Sequence, residues 1–397
     1  VLIVLNYNGK NSIFSPNYLL KKMKNSILLL KKLALVFIVL IANYSVSQTY
    51  EFQTVKEINC TPVISQGKTG TCWSFSSTSF LESEIMRTTG KSIDLSEMYS
   101  VRHTYPKKAL NYVMRQGKAQ FGDGGLNHDV INSAFEFGLV PESAYSGKGS
   151  STEHDHTKMV VELEKIVKTT VETPTPFNTN WKANFESVLD QYLGKNVNEF
   201  TYEGKTYTPK QFFEYTGLKL DNYVTITSFM HEPYYTKFIL AIPDNFANGM
   251  FYNLPLDEFM STIDNALDKG FTIALDADVS EKTFSGQRGI AVIPANETDV
   301  PAIFAEIKKE KVITPEFRQA EFENLNTTDD HLMHIVGKVQ DQNGTIYYKV
   351  KNSWGKDSGK AGYVYMSVSY MRLKAISVMI HKDALNKKTR SVFGILY

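Results

Sequence analysis

The chain has 397 residues, 42% of them hydrophobic and only two of them cysteine, which is enough for a large buried core and the length of two to three domains. Its formal net charge is +1, but residues 1–47 hold six lysines and no acidic residue, so the remainder sets 37 basic against 42 acidic residues, a net of −5. A mildly acidic body excludes an electrostatic case for binding nucleic acid, and no internal repeat or low-complexity tract points to a solenoid or a linker array.

Residues 1–22 precede the first methionine and read as an over-extended start without structure of its own. Met23-Lys24-Asn25 and Lys31-Lys32 then make a basic beginning, Leu33 to Ala42 an apolar run, and Ser45-Val46-Ser47 a small-residue stretch suited to cleavage. That is the plan of a secretory signal peptide over 23–47. The expectation is export, periplasmic or secreted, without stable membrane insertion after cleavage, since a span needs about 20 apolar residues. An uncleaved anchor starting at Ile27 is the alternative. The body follows from residue 48 to 397.

Ile58-Asn59-Cys60-Thr61-Pro62-Val63 reads as a strand with Cys60 buried and unpaired, leading into a turn of glycine and small polar residues from Gln66 to Thr71. Beyond the turn, Phe75, Phe80, Leu81 and Ile85 recur at helical intervals and predict an apolar helix face. Cys72 therefore falls in the first turn of a helix, where free N–H groups and the positive dipole end favour a thiolate. On its own, Cys72 reads first as a small core residue, and it is the downstream chain that overturns that reading. Further along, Asp330-His331-Leu332-Met333-His334-Ile335-Val336-Gly337 supplies an imidazole at the head of an apolar strand, and Lys349-Val350-Lys351-Asn352-Ser353-Trp354-Gly355 a carboxamide followed by an indole. Thiol, imidazole and orienting amide are the three parts of a cysteine nucleophile system.

On Cys72, His331 and Asn352, with Gln66 ahead of them, the sequence resembles the papain-like cysteine peptidases. The resemblance implies an α+β fold of two lobes, one helical and one an antiparallel, barrel-like sheet. It implies Gln66 as oxyanion donor, Trp354 as a cover for the His331–Asn352 bond, and Gly124 and Gly125 as a run beside which substrate backbone pairs; the alternative for these two is a tight turn with positive φ. His331 stands six residues before Gly337, as the family's histidine does, while His334 falls on the other face of the strand and reads as structural. Thr69-Gly70-Thr71-Cys72-Trp73 lacks the first cysteine of the family's C-G-[SA]-C-[WY] signature, and Gly122 stands where that cysteine's disulfide partner would be. With Leu95-Ser96-Glu97, Phe121-Gly122-Asp123-Gly124-Gly125 and Gly138-Leu139-Val140-Pro141, the joint loss is similar to the bleomycin hydrolase and aminopeptidase C branch. His331 lies 259 residues beyond Cys72, against about 130–150 in the papain pattern, so a largely helical insertion is expected at about 158–279.

The resemblance further implies hydrolysis of peptide bonds through a thioester on Cys72, from a resting thiolate–imidazolium pair, with no cofactor or metal. Aminopeptidase activity is the first expectation and endopeptidase the second. In the resembling branch a C-terminal arm holds the substrate ammonium by its carboxylate, whereas the tail here, Asn386 to Tyr397, is short and carries Lys387, Lys388 and Arg390. A non-catalytic peptide-binding relative is a third reading, and it would be expected to lack one of Cys72, His331 or Asn352. Peptides are the expected partners; homo-oligomerisation is left open, hexamers occurring among resembling members.

The remaining expectations are structural. Ser74 to Tyr145 reads as a helical half and Thr327 to Ile380 as a strand-rich half, with an extended break at Thr173-Pro174-Thr175-Pro176. Leu256, Phe259, Met260, Ile263 and Leu267 mark one face of a helix. Lys308-Lys309-Glu310-Lys311 reads as a solvated helix face, and His154-Asp155-His156 as a polar loop with too few ligands for a metal.

Overall fold

Helix α1 (Cys72–Thr89) is buried along fourteen of its eighteen residues, from Cys72 to Ile85. The protein is known as a computed structural model that describes residues 20–21, 49–149, 151–173 and 180–395. The leader expected at 23–47 and Pro174–Pro176 of the expected break lie outside these residues, and among them no helix is long and apolar enough to cross a membrane. Tyr50–Tyr397 forms one unit.

Phe75, Phe80, Leu81 and Ile85 of α1 are buried as the periodicity predicts. So are Ser74, Ser76, Ser77 and Ser79, which periodicity alone would leave facing water. Each hydroxyl has a partner: Ser74 donates to the Glu97 carbonyl (2.7 Å), Ser76 to the Met333 carbonyl (2.6 Å), Ser77 to Asn127 Oδ1 (2.8 Å), and Ser79 meets His334 Nδ1 at 2.9 Å. Small side chains let neighbouring elements come close, and the bonds remove the cost of burying their oxygens.

Around α1 pack α2 (Glu97–Met114) and α3 (Asn127–Phe137), followed by α4 (Thr157–Glu172), α5 (Trp181–Leu193) and α6 (Pro209–Thr216). Trp73, Phe80, Leu81, Met98, Leu163 and Phe212 belong to their shared core, and a fully buried side chain of this kind contributes about 1.5–3 kcal/mol. A hairpin of β2 (Phe200–Tyr202) and β3 (Lys205–Tyr207) sits beside α6, with Phe212 against Phe200, Tyr202 and Tyr207.

The other lobe is a mixed sheet of eleven described strands. These are β1 (Phe52–Glu57), β4 (Tyr223–Thr227), β5 (Lys237–Ile239), β6 (Met250–Asn253), β7 (Ile273–Ala277), β8 (Phe284–Ser285), β9 (Ile290–Ala291), β10 (His331–Asp341), β11 (Ile346–Lys351), β12 (Tyr363–Ser367) and β13 (Ala375–His381). They follow the order β5-β6-β4-β13-β7-β10-β11-β12-β9-β8, with β1 added to β10. The first half of β10 lies against β7 (His331↔Ala277, Leu332↔Asp276), and its second half lies against β1 (Phe52↔Asp341). On its other side, β11 ends at Lys351 opposite His334, which brings Asn352 close to the start of β10. Most pairings are antiparallel as expected; β12–β9 and β4–β6 are parallel.

Helix α7 (Leu256–Asp268) buries the five residues anticipated for it. The insertion is helical through α4 to α6 but also supplies β4 to β7 to the sheet, because short buried strands such as Ile273–Ala277 carry no alternation to announce them. Helix α8 (Pro315–Glu323) is tied to the sheet lobe by the buried Arg318, which donates to the carbonyls of Ser228 (2.8 Å) and Leu373 (3.2 Å) and also to that of Ala375. Two other expectations are corrected. Lys308–Lys311 is not helical, and Glu310 turns its carboxylate inward onto the Ile293 N–H (2.9 Å) and the Ser367 hydroxyl. Cys60 is unpaired but only half-buried, in an irregular segment after β1, with its sulfur 3.8 Å from the Tyr363 hydroxyl.

The end of β7 and the loop before β10 are fastened together by Asp278. It accepts the Thr328 N–H (2.9 Å) and the Ser280 N–H (2.7 Å), and lies 3.2 Å from Lys374 Nζ at the end of α9 (Val368–Lys374). Lys374 is fully buried. Lys374 also meets Glu281 Oε1 (2.6 Å) and the Asn326 carbonyl (2.6 Å), so Asp278→Ala leaves the cation paired but leaves the Thr328 and Ser280 N–H groups without their acceptor. Urea denaturation is expected to show a loss of about 1–3 kcal/mol, and an unchanged stability would contradict this account.

Candidate active site

The turn before α1 is braced from three sides. The Gln66 N–H donates to the Ser353 carbonyl (2.8 Å), the Lys68 N–H to the His154 carbonyl (2.9 Å), and the His156 N–H to the Lys68 carbonyl (3.1 Å). Gly67 has φ +62, and a Cβ there would strike the His154 carbonyl. His154 and His156 are thus buried braces rather than members of a polar surface loop, and no group of three metal-ligating side chains occurs among the described residues. On the third side, Asp123 Oδ2 accepts the Gly70 N–H (2.5 Å) and the Asp123 carbonyl accepts Trp73 Nε1–H (2.9 Å). These bonds join the two segments that the resemblance links by a disulfide in papain.

Cys72 is the first residue of α1 and is 7% exposed. The N–H of Leu332, the residue after His331, favours the charged form of the Cys72 thiol without being aligned into a full hydrogen bond. His331 Nε2 lies 2.8 Å from Asn352 Oδ1, and Trp354 stacks on the imidazole at 4.9 Å with planes 24° apart. An amide oxygen only accepts, so the neutral ring carries its proton on Nε2 and leaves Nδ1 as the basic atom. The indole is 40% exposed and shields that bond. Gln66 is buried, with Nε2 donating to the Thr69 carbonyl (2.6 Å) and Oε1 accepting from the Ser353 hydroxyl (2.5 Å). One of its two amide hydrogens is thereby used and the other remains. His334 faces α1 through Ser79, on the opposite side of the strand from His331.

Burial pushes the Cys72 thiol up to about 12; the Leu332 N–H opposes this, and the carboxylates of Asp244, Asp329 and Asp276 add to it. Burial pushes the His331 ring down to about 4, against the Asn352 bond. Both shifts oppose a lone charge on either group, so thiolate and imidazolium are favoured only when they form together. Taking sulfur out of water costs more than one helix end returns. Proton transfer from Sγ to the ring creates both charges together, and each then stabilises the other.

Gly124 and Gly125 do not have positive φ, so the tight-turn alternative fails. They are sites of close approach: a Cβ on Gly125 would press on the Trp73 ring, and one on Gly124 would overlap the Asp244 carboxylate. Lys108, itself buried, donates to the Gly124 carbonyl. Sequence reasoning missed Asp244, Asp276, Asp329 and Lys108. The available signals were a carboxylate inside the apolar run Ile273-Ala274-Leu275-Asp276-Ala277 and the acidic pair just before His331.

A helix-borne thiol docked on the strand that carries its imidazole is the arrangement of the papain-like cysteine peptidases. The chain belongs to the Peptidase C1-like family, whose family model matches residues 29–395. It is similar to aminopeptidase C of Lactococcus lactis subsp. lactis (22% identical, covering 84% of this chain and 83% of that protein). It is also similar to aminopeptidase C of Listeria monocytogenes (24% identical, covering 85% and 84%). The crystal structure of PepW from Lactobacillus rhamnosis shares the fold at a TM-score of 0.70, with 18% identity, covering 96% of this chain and 95% of that one.

Two measurements check this geometry. In Cys72→Ala the ring keeps its burial and its Asn352 bond but faces no thiolate, so an NMR titration is expected to place the His331 midpoint near 4. A midpoint at or above the free-histidine value of about 6.5 would contradict it. Asp123→Ala leaves the Gly70 N–H without its partner and is expected to cost about 1–3 kcal/mol in denaturant unfolding, with a fall in kcat; unchanged stability would mean that Asp123 does not brace the turn.

Proposed function

We propose that this protein is a cysteine aminopeptidase that removes residues from the free amino end of peptides. The observation that carries the chemistry is the Cys72 thiol at the start of α1, backed by Leu332 and next in the chain to a His331 whose Nε2 is fixed by Asn352. Nδ1 of His331 takes the thiol proton, and the thiolate attacks the first peptide carbonyl. The tetrahedral oxyanion is held by the Cys72 N–H, one of the helix-start donors without an intrahelical partner, and by the remaining Gln66 amide hydrogen. His331 returns its proton to the leaving nitrogen as the C–N bond breaks. Water, deprotonated by His331, then opens the thioester and restores the thiol.

The amino-terminal direction of attack is supported by the aminopeptidase names of the relatives. Gly124 and Gly125 are proposed to flank the substrate backbone, and Trp354 to keep water from the His331–Asn352 bond. Export is proposed on the leader-like plan of residues 23–47. The experiment compares two peptides that differ only in N-terminal acetylation, with products followed by mass spectrometry. Stepwise loss of single residues from the free-amine peptide and none from its acetylated twin is expected. Internal cleavage of both at equal rates would make this an endopeptidase.

A further inference from the structure

Bond cleavage uses a thiol, an imidazole and two amides, yet three carboxyl groups act electrostatically on the same thiol. Asp276, fully buried in β7, pairs across the sheet with Leu332 and with Ser377 of β13. Directly opposed residues share a face of the sheet, and Leu332 packs in the same cluster as Cys72. Asp329 lies two residues before His331, and its carboxyl meets that of Asp276. Asp244, from the segment between β5 and β6, fills the space beside Gly124.

Asp276 and Asp329 are poorly compensated, whereas Asp244 has Gln120 Nε2 at 3.3 Å. Apart from the contact between the two carboxyls, Asp276 Oδ1 and both oxygens of Asp329 have no hydrogen-bond partner among the described residues, and Asp276 Oδ2 receives the Ser377 hydroxyl at a long 3.3 Å. The Asp244 N–H eases the burial of Asp329 without being aligned into a full bond. Lys108 acts on Asp244 and Asp329, but its ammonium is committed to the Gly124 carbonyl and is also shared with Asp123 and Asp129. A carboxylate shielded from water and short of donors is stabilised by a cation brought beside it. The cluster is not a metal-ligand group, and an ammonium, with three N–H donors, satisfies several acceptors at once.

We propose that Asp276, Asp329 and Asp244 receive the free α-ammonium of the substrate's first residue, and that Asp244, against Gly124, closes the cleft to anything preceding that residue. The proposal rests on the aminopeptidase reading and names what enforces it. The α-nitrogen is two bonds from the carbonyl carbon that Cys72 attacks, so its receptor has to lie near the thiol; Asp276 opposes Leu332 and Asp329 lies two residues before His331. Helix α10 (Lys387–Val392) and the residue after it pack on Asp383, Glu258 and Tyr252 through Arg390, Lys388 and Phe393.

The test measures kcat/KM of the full chain and of Asp329→Asn and Asp276→Asn on alanyl-aminomethylcoumarin, its N-acetyl form, and acetyl-lysyl-alanyl-aminomethylcoumarin. Each variant is expected to lose about 10- to 100-fold on the free-amine substrate, largely through KM, so that preference over the acetylated form collapses. Iodoacetamide alkylation of Cys72 should be kept or quickened, since a nearby negative charge is gone; this separates lost recognition from a damaged site. Asp329, at the end of a loop, carries the test should Asp276→Asn fail to fold. An unchanged free-amine preference in Asp329→Asn overturns the proposal, as does selective loss of the acetyl-lysyl substrate, which would make the carboxyls a pocket for a basic side chain. Equal wild-type rates on free and acetylated alanyl substrates would instead overturn the aminopeptidase reading itself.

Discussion

The relation between Cys72 and His331 depends on a buried polar seam between α1 and the sheet. Along it, Ser76 bonds the Met333 carbonyl and Ser79 meets His334. Lys351 reaches both Ser79 (2.7 Å) and Thr61 (3.0 Å), and Thr61 donates to Glu82 (2.5 Å), which also accepts the Leu95 N–H (2.8 Å). Apolar packing alone would let a helix slide along a strand at little cost. A row of buried donors and acceptors does not, because each step out of register strands several polar groups at about 1–3 kcal/mol apiece. The seam thus fixes the start of α1, and Cys72 with it, against the strand that begins with His331.

The same dryness shapes the chemistry. Burial opposes a lone charge on Cys72 or on His331, and it raises the carboxyls as well, Asp329 up to about 7 and Asp276 well above the usual range. A charged ammonium entering such a place changes the balance at once: it stabilises the carboxylates and offsets the repulsion they exert on a thiolate. On this account the substrate brings part of the electrostatic support that the nucleophile requires. A site that lacks its full activating charge until a free amino end arrives would also be slow to attack internal peptide bonds.

What could be read from the sequence, and what could not, divides along the range of the interactions. Cys72, Gln66, His331 and Asn352 were legible because each lies in a short run whose residue types and order carry chemical meaning. Helix α7 was legible from its 3.6-residue period. The carboxyl cluster was not, since Asp244, Asp276 and Asp329 are far apart in the chain and meet only because β7 threads between β13 and β10. Glu310 was misread because a charged run gives no sign that one member turns inward onto Ser367. The missing papain-type disulfide was visible as two absent cysteines, but its replacement by the hydrogen bonds of Asp123 was not.

Trapping the acyl-enzyme tests the central claim most directly. A free-amine peptide mixed with the protein and quenched in acid within milliseconds should leave a thioester that mass spectrometry locates. The expected adduct is a single aminoacyl group on Cys72, absent from Cys72→Ala. An acyl group of several residues, or a labelled site other than Cys72, would contradict the account.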